Sequence, residues 1–159
     1  MKKIILLLLV LLSVFFVGCD ITLTPSVHIG FKQHGGAGEY NESIQELYIG
    51  QNFYCALTLK MTTDKKKPTE YTVVVKLPKT KDVEIARDAG LRDVSSTSDA
   101  DSTTLTFKIN GYKEATEQMI HFSGCPFDEG KAVIVIMIYD EEGRPVNAGY
   151  DKTVYFVYE

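Results

Sequence analysis

The sequence predicts an all-β protein, a β-sandwich of seven to nine short antiparallel strands. From Val27 onward, apolar and polar residues alternate with a period of two, and turn-forming residues separate the alternating runs at short intervals. Sustained helical periodicity is nearly lacking. The chain beyond residue 26 is also long enough for one domain with a hydrophobic core, and too short for two comfortable ones. These observations together favour two packed sheets.

The alternating runs follow one another along most of the chain. They cover residues 26–32, 44–49, 53–61, 71–77, 103–109, 132–138 and 153–158. Val83 and Ile85 indicate a short edge strand, and residues 95–102 are expected to form a polar loop. The stretch Lys113 to His121 is ambiguous, because Ala115 and Met119 are four residues apart and one or two helical turns would also fit.

The first residues have the pattern of an export signal. Two lysines are followed by an apolar segment from Ile4 to Val17, interrupted only by Ser13. That segment is shorter than the roughly 20 apolar residues of a membrane-spanning helix, and its length and flanks fit a cleaved secretory signal. We therefore expect an exported protein.

The segment Phe16-Val17-Gly18-Cys19 ends this signal. It resembles the lipobox of bacterial lipoprotein precursors, in which a small residue precedes a cysteine that becomes the acylated N-terminus; Phe16 stands where Leu is usual. The resemblance implies a signal peptide over residues 1–18, lipidation of Cys19 including palmitate, and a short tether over residues 19–26. An ordinary signal peptide that contains a cysteine is the alternative.

Lipidation of Cys19 would hold the protein at a membrane surface of the bacterial cell envelope. Several acyl chains on one residue anchor a protein firmly, because each buried methylene contributes about 0.8 kcal/mol and one chain alone is marginal. The sequence does not distinguish the inner membrane from the outer one. The anchored part would be a single domain over residues 27–159.

Composition argues against nucleic acid as a partner. Loss of the two lysines of the signal changes the formal net charge from −4 to −6, and nucleic-acid binding requires basic patches that displace counterions. The one basic run, residues 65–67, precedes Pro68 between two predicted strands and fits a solvated turn.

Two further cysteines, Cys55 and Cys125, would mature in an oxidising compartment. An even pair in an exported domain suggests a disulfide, and two buried free thiols are the alternative. A metal site is not expected, since His28, His34 and His121 show no ligand spacing with either cysteine.

The order of the predicted strands resembles that of bacterial immunoglobulin-like domains. The segment Leu47 to Phe53 is similar to their opening, a short strand and a Gly-polar turn before a core strand, and the last two predicted strands resemble their closing hairpin. The resemblance implies an immunoglobulin-like sandwich. The chain has no Trp, and Cys125 precedes the penultimate strand, so an antibody-type disulfide is not implied.

No sequence motif indicates catalysis or a cofactor. A nucleophile elbow, a metalloprotease helix motif, a phosphate-binding glycine loop and a Cys-x-x-Cys pair are all lacking. We therefore predict a non-enzymatic protein that needs no cofactor. An enzyme is the least favoured of the function classes.

The closing hairpin is the sequence feature most closely connected with function. Residues 132–138 are apolar at every position, and residues 154–158 are apolar or aromatic throughout, although a sandwich strand normally has one wet face. The outer face is therefore either covered by residues 113–122 or offered to a partner. Tyr150 and Tyr155 are the candidate contact residues. The predicted function is a module that binds a protein or a glycan, and the alternative is a structural subunit of a larger envelope complex.

Overall fold

The structure is a computed structural model that describes residues 25–32, 38–63, 68–86, 90–112, 114, 116–146 and 149–159. In chain order the strands are β1 (Ser26–Lys32), β2 (Glu46–Tyr48), β3 (Phe53–Met61), β4 (Thr69–Pro78), β5 (Thr80–Ile85), β6 (Arg92–Ser98), β7 (Ser102–Gly111), β8 (Thr116–Pro126), β9 (Gly130–Tyr139) and β10 (Tyr150–Val157). They form a four-stranded sheet, β1-β3-β8-β5, and a six-stranded sheet, β2-β10-β9-β4-β7-β6. All neighbouring pairs are antiparallel except β2 and β10.

The predicted all-β, immunoglobulin-like sandwich is confirmed. The described part of the chain has ten strands, one more than the upper limit of the prediction. The difference arises at β6, because residues 95–98 were expected in a polar loop and instead pair with β7 at the edge of the six-stranded sheet. The side chains of β6 are exposed except for the half-buried Val94, so this strand has no apolar alternation that a sequence could reveal.

The core lies between the sheets and is made by alternate residues of nearly every strand. Its largest fully buried side chains include Phe31, Phe53, Phe107 and Phe156. The rings of Phe31 and Phe53, on the neighbouring strands β1 and β3, meet edge to face at 5.7 Å between centroids, a favoured aromatic geometry. Burial of one such side chain stabilises the fold by about 1.5–3 kcal/mol.

The closing hairpin lies in the middle of the six-stranded sheet, as predicted. Strands β9 and β10 pair antiparallel from Gly130–Phe156 to Ile136–Tyr150, and β4 and β2 continue the sheet on either side. The inward residues Ile134, Ile136 and Ile138 are buried in the core. Both strands therefore lie inside the strand order, although β10 pairs with β2 only from Tyr155 to Val157, and their inner face completes the core.

Residues 113–122 do not cover the outer face of this hairpin, which corrects one of the two expectations. From Thr116 onward they form β8, which pairs with β3 in the opposite sheet. Ile120 points into the core, whereas Met119 points outward and is 52% exposed. This segment, which the sequence left open between strand and helix, is a strand. Its backbone pairs with β3 on one side and with β5 on the other.

The disulfide expected between Cys55 and Cys125 is not formed in the structure, where both are buried free thiols. The strand register explains why. Cys55 lies opposite Phe122, so Cys125 is three residues further along β8, which corresponds to about 10 Å of strand. A disulfide requires Cα atoms within about 7 Å. The arrangement found is the alternative of two buried thiols.

The signal peptide, the lipobox and Cys19 lie outside the described residues. Within the described part, no helix has the length and apolar character needed to cross a bilayer. Residue 25 directly precedes β1, whose first residue Ser26 pairs with Lys60 near the end of β3. The chain therefore enters the sandwich at the end where β3 finishes and β8 begins.

Candidate functional site

The outer face of the six-stranded sheet carries apolar side chains along its centre. Alternation along β9 directs Val133, Val135 and Met137 outward, and Val74 of β4 lies directly opposite Met137. We call these four residues the outer strip. All four side chains are half-buried, although none of the strands that the structure describes forms a further sheet on this side. Outward positions of an antiparallel sheet that face water are usually polar, so the outer strip is the unusual feature of this surface.

Two lysines flank the outer strip. Lys76 of β4 lies opposite Val135, and Lys131 precedes Val133 by one outward position. Both are exposed, and neither ammonium group has an ion-paired partner within the described ranges. On the other side of the outer strip, the exposed Asp151 of β10 lies opposite Val135. Further out on this face, Glu70 forms ion pairs with Arg92 (3.0 Å) and Lys108 (3.2 Å). The outer strip thus combines an apolar centre with flanking charges of both signs.

The structure places the two predicted contact tyrosines on opposite faces of β10. Tyr155 points outward beside Lys131 and is 43% exposed. Tyr150 lies opposite the inward Ile136 and packs against the core, and burial, with a smaller contribution from the charge of Glu42, raises its phenol pKa. The two residues are not brought together. Sequence reasoning missed the outer-strip residue Val74, which no feature within β4 distinguishes from its neighbours.

The outer face of the four-stranded sheet is instead covered by the chain itself. Tyr40, in the connection between β1 and β2, lies over Gly30, and a Cβ at that position would be 3.1 Å from the Tyr40 Cβ. Asn41 follows it and bridges to Phe31 through two backbone hydrogen bonds of 3.1 and 3.0 Å. Burial raises the Tyr40 phenol pKa. Away from Tyr40, two large apolar side chains of this face are exposed, Tyr54 (40%) and Met119 (52%).

A serine, a histidine and a glutamate lie in a row near the start of β1. The Ser26 hydroxyl is 3.0 Å from Nε2 of His28, and Nδ1 of His28 is 3.5 Å from the Glu42 carboxylate. The spacing is that of a nucleophile with its base and orienting acid. The imidazole and the carboxylate are, however, both exposed, and a catalytic site of this class requires preorganised donors in a site that excludes water. We interpret the row as surface hydrogen bonding.

The described residues contain no cluster of three or more histidine, cysteine or acidic side chains suited to a metal ion. Two carboxylates of the acidic turn Asp140-Glu141-Glu142 bind a nearby side chain of the same turn. The Arg144 guanidinium donates to Asp140 (2.8 Å) and to Glu142 (3.0 Å). These carboxylates therefore close the β9–β10 connection.

Comparisons with known proteins show similarity of fold. No protein-family model and no curated protein matches the sequence. Among solved structures, a cohesin module from the family 33 glycoside hydrolase of Clostridium perfringens ATCC13124 is 11% identical, with a TM-score of 0.51 over 86% of this chain and 100% of the other. At this identity the likeness shows the fold alone.

Two further structures are similar over comparable lengths. A non-cellulosomal cohesin from the archaeon Archaeoglobus fulgidus is 12% identical, with a TM-score of 0.48 over 84% of this chain and 91% of the other. An uncharacterized protein from Nocardia farcinica with an immunoglobulin-like fold is 14% identical, with a TM-score of 0.47 over 82% of this chain and 98% of the other.

Proposed function

We propose that this chain is a lipid-anchored, non-enzymatic module that binds a protein partner at the bacterial cell envelope through the outer strip. One observation carries the proposal: the central strands of the six-stranded sheet have apolar side chains on the outer face as well as the inner one. The inner side chains already fill the core, so the outer ones are not needed to close the sandwich. Apolar surface at the centre of an exposed face is typical of interaction sites.

The chemistry around the outer strip indicates the kind of partner. Protein interfaces have an apolar centre and a polar rim, with tyrosine among the enriched residues. Val133, Val135 and Met137 would form the centre, and Tyr155 lies at one end. Lys76, Lys131 and Asp151 would belong to the rim and favour a partner with charges of both signs around an apolar patch, since complementary charges speed association and fix register.

The anchor would hold the binding face close to the membrane. Six residues lie between Cys19 and Ser26, and the seven extended residue steps from one to the other span at most about 25 Å. The outer strip lies along the side of the sandwich, so it would remain open to a neighbouring envelope protein. Replacement of Cys19 by serine should abolish incorporation of labelled palmitate and release the protein from the membrane fraction. Continued palmitate labelling and membrane fractionation of the variant would contradict the lipid anchor.

Site-specific photo-crosslinking in the native membrane tests the binding surface. A photoreactive residue at Val135 should yield a discrete adduct with one protein, and the same residue at Met119, an exposed apolar position on the opposite sheet, should not. Identical adducts at both positions, or none at Val135, would refute the assignment of the outer strip. An adduct partner that co-purifies in fixed stoichiometry with several further proteins would favour the alternative, a structural subunit of an envelope complex.

A further inference from the structure

A cavity with polar and apolar walls opens at the end of the sandwich opposite Ser26. Three connections meet there, namely Lys79 between β4 and β5, residues 99–101 between β6 and β7, and residues 127–129 between β8 and β9. Beside them is an open cavity of about 390 Å³, within the volume range of small-molecule sites, and residues of two of these connections and of the adjoining strands line it. The outer strip does not line this cavity.

Lys79 ties the three connections together. Its backbone amide donates to the carbonyl of Asp101, its carbonyl accepts from the amide of Phe127 (3.1 Å), and its ammonium donates to the carbonyl of Glu129 (2.8 Å). To make these bonds it adopts a left-handed conformation, with φ of 54°. Non-glycine residues in this region are uncommon and tend to cluster at functional sites. The walls of the cavity are therefore fixed before a ligand arrives.

Asp82 is presented at the cavity by a β-bulge. The register between β5 and β8 shifts between Lys81 and Glu84, and Asp82 within the bulge has φ of 51°. Bulges redirect side chains at the edges of sheets. Both Lys81 and Asp82 line the cavity, and neither side chain has a hydrogen-bonded or ion-paired partner among the residues that the structure describes. The cavity thus offers one cationic donor and one anionic acceptor.

The hydroxyl groups of the cavity form a directed chain. The buried Thr103 hydroxyl donates to the carbonyl of Thr80 (2.9 Å), and the Ser98 hydroxyl lies 2.9 Å from it. Because a hydroxyl has one hydrogen, Ser98 must donate to Thr103, and its lone pairs remain available to a ligand. Asp99 adds little, since its carboxylate already accepts from the amides of Asp101 and Ser102.

We propose that this cavity is a carbohydrate subsite that takes a single pyranose ring. Phe127 lines it with 37% of its surface exposed and provides an aromatic side chain for the C–H side of a sugar. The hydroxyl groups of the sugar both donate and accept, so they match the carboxylate of Asp82, the lone pairs of Ser98 and the ammonium group of Lys81 together. A simple cation would leave Lys81 unmatched, and a simple anion would meet Asp82.

Saturation-transfer NMR tests the proposal on the full chain purified in detergent. Glucose, galactose, mannose and N-acetylglucosamine are the probes, each at millimolar concentration. At least one of them should receive saturation on its ring C–H protons. Phe127→Ala should weaken its binding about tenfold or more, and Asp82→Asn should do the same while retaining a residue type that tolerates the left-handed backbone.

Tyr54→Ala is the matched control, because Tyr54 is an aromatic residue of similar exposure (40%) on the outer face of the four-stranded sheet. This variant should bind the sugar as the parent does, and all variants should melt within a few degrees of the parent. Saturation transfer to none of the four sugars would overturn the proposal, as would binding that survives both cavity substitutions. Neither result would affect the outer strip, which shares no residue with the cavity.

Discussion

The Tyr40 ring lies on the imidazole of His121, with 5.3 Å between ring centroids and 30° between the ring planes. This contact joins the β1–β2 connection to the middle of β8, and it spans Gly30 and Ala56, which pair side by side on β1 and β3. The ammonium of Lys32 lies 4.3 Å from the centroid of the Tyr40 ring. The chain therefore covers the centre of the outer face of the four-stranded sheet. This is one reason to assign the partner to the outer face of the six-stranded sheet.

The close approach of Tyr40 requires glycine at position 30. Gly30→Ala would bring a Cβ to 3.1 Å from the Tyr40 Cβ and 3.3 Å from the Asn41 backbone nitrogen, so the connection must shift. We expect a loss of about 1–3 kcal/mol of unfolding free energy, measured by urea unfolding followed by circular dichroism.

Gly38→Ala is the control for this change, since a Cβ at Gly38 would meet no atom within 4 Å and its φ is not positive. It should leave stability unchanged or raise it slightly by restricting the unfolded chain. Equal effects of the two substitutions would show that Tyr40 does not pack over Gly30.

The turn between β6 and β7 depends on an ionised Asp99. Hydrogen bonds from the backbone amide of Asp101, and then from the hydroxyl and amide of Ser102, lower the pKa of this carboxyl. A lowered folded-state pKa stabilises the fold above the ordinary Asp pKa of about 3.9, and this stabilisation is lost as the pH falls through the folded-state value. Asp99→Asn should therefore destabilise at neutral pH, with a difference from the parent that shrinks below about pH 4.

Unfolding free energies of the parent and of Asp99→Asn, measured from neutral pH to below pH 4, show whether the stability difference shrinks as the pH falls. Asp151→Asn changes an exposed carboxylate whose side chain has no hydrogen-bonded partner within the described ranges, and it should show no comparable loss. A difference between Asp99→Asn and the parent that grows as the pH falls would contradict the account.

The free-thiol arrangement predicts an alkylation pattern. Burial raises the pKa of the Cys55 thiol, and Cys125 is also buried, so iodoacetamide should modify neither residue in the folded protein. After denaturation without any reductant, iodoacetamide should modify both cysteines, which is measured by mass spectrometry of the peptides that contain Cys55 and Cys125. Modification that appears only after reduction would mean that a disulfide is present.

The strands that were predicted from sequence are those whose two faces differ. In β3 and β4 the inward residues are apolar, and the alternation follows from the pleat of a strand with one buried face. The hairpin of β9 and β10 was located because it departs from this rule. Its central position in the sheet then followed from the need to bury both edges of an apolar strand.

The elements that were missed lack such a difference. Strand β6 is exposed except for the half-buried Val94, and it forms because its backbone pairs with β7. In β8 the outward Met119 interrupts the polar face, so its spacing from Ala115 resembles a helix. The end cavity was not foreseen at all, because it depends on three connections far apart in sequence and on the left-handed backbone of Lys79. The even number of cysteines in the exported part suggested a disulfide. The distance between Cys55 and Cys125 depends on the register of β3 and β8, which the sequence does not reveal.

The affinity of outer-strip variants for the crosslinked partner shows whether the outer strip is the binding face. An acidic side chain at Val135 would disrupt the apolar centre, whereas Met119→Asp makes the same kind of change on the opposite face. We predict that Val135→Asp weakens binding of the purified partner at least tenfold, about 1.4 kcal/mol, and that Met119→Asp changes it less than about twofold, about 0.4 kcal/mol. Equal affinities of the two variants, or a larger loss with Met119→Asp, would contradict the assignment of the binding face.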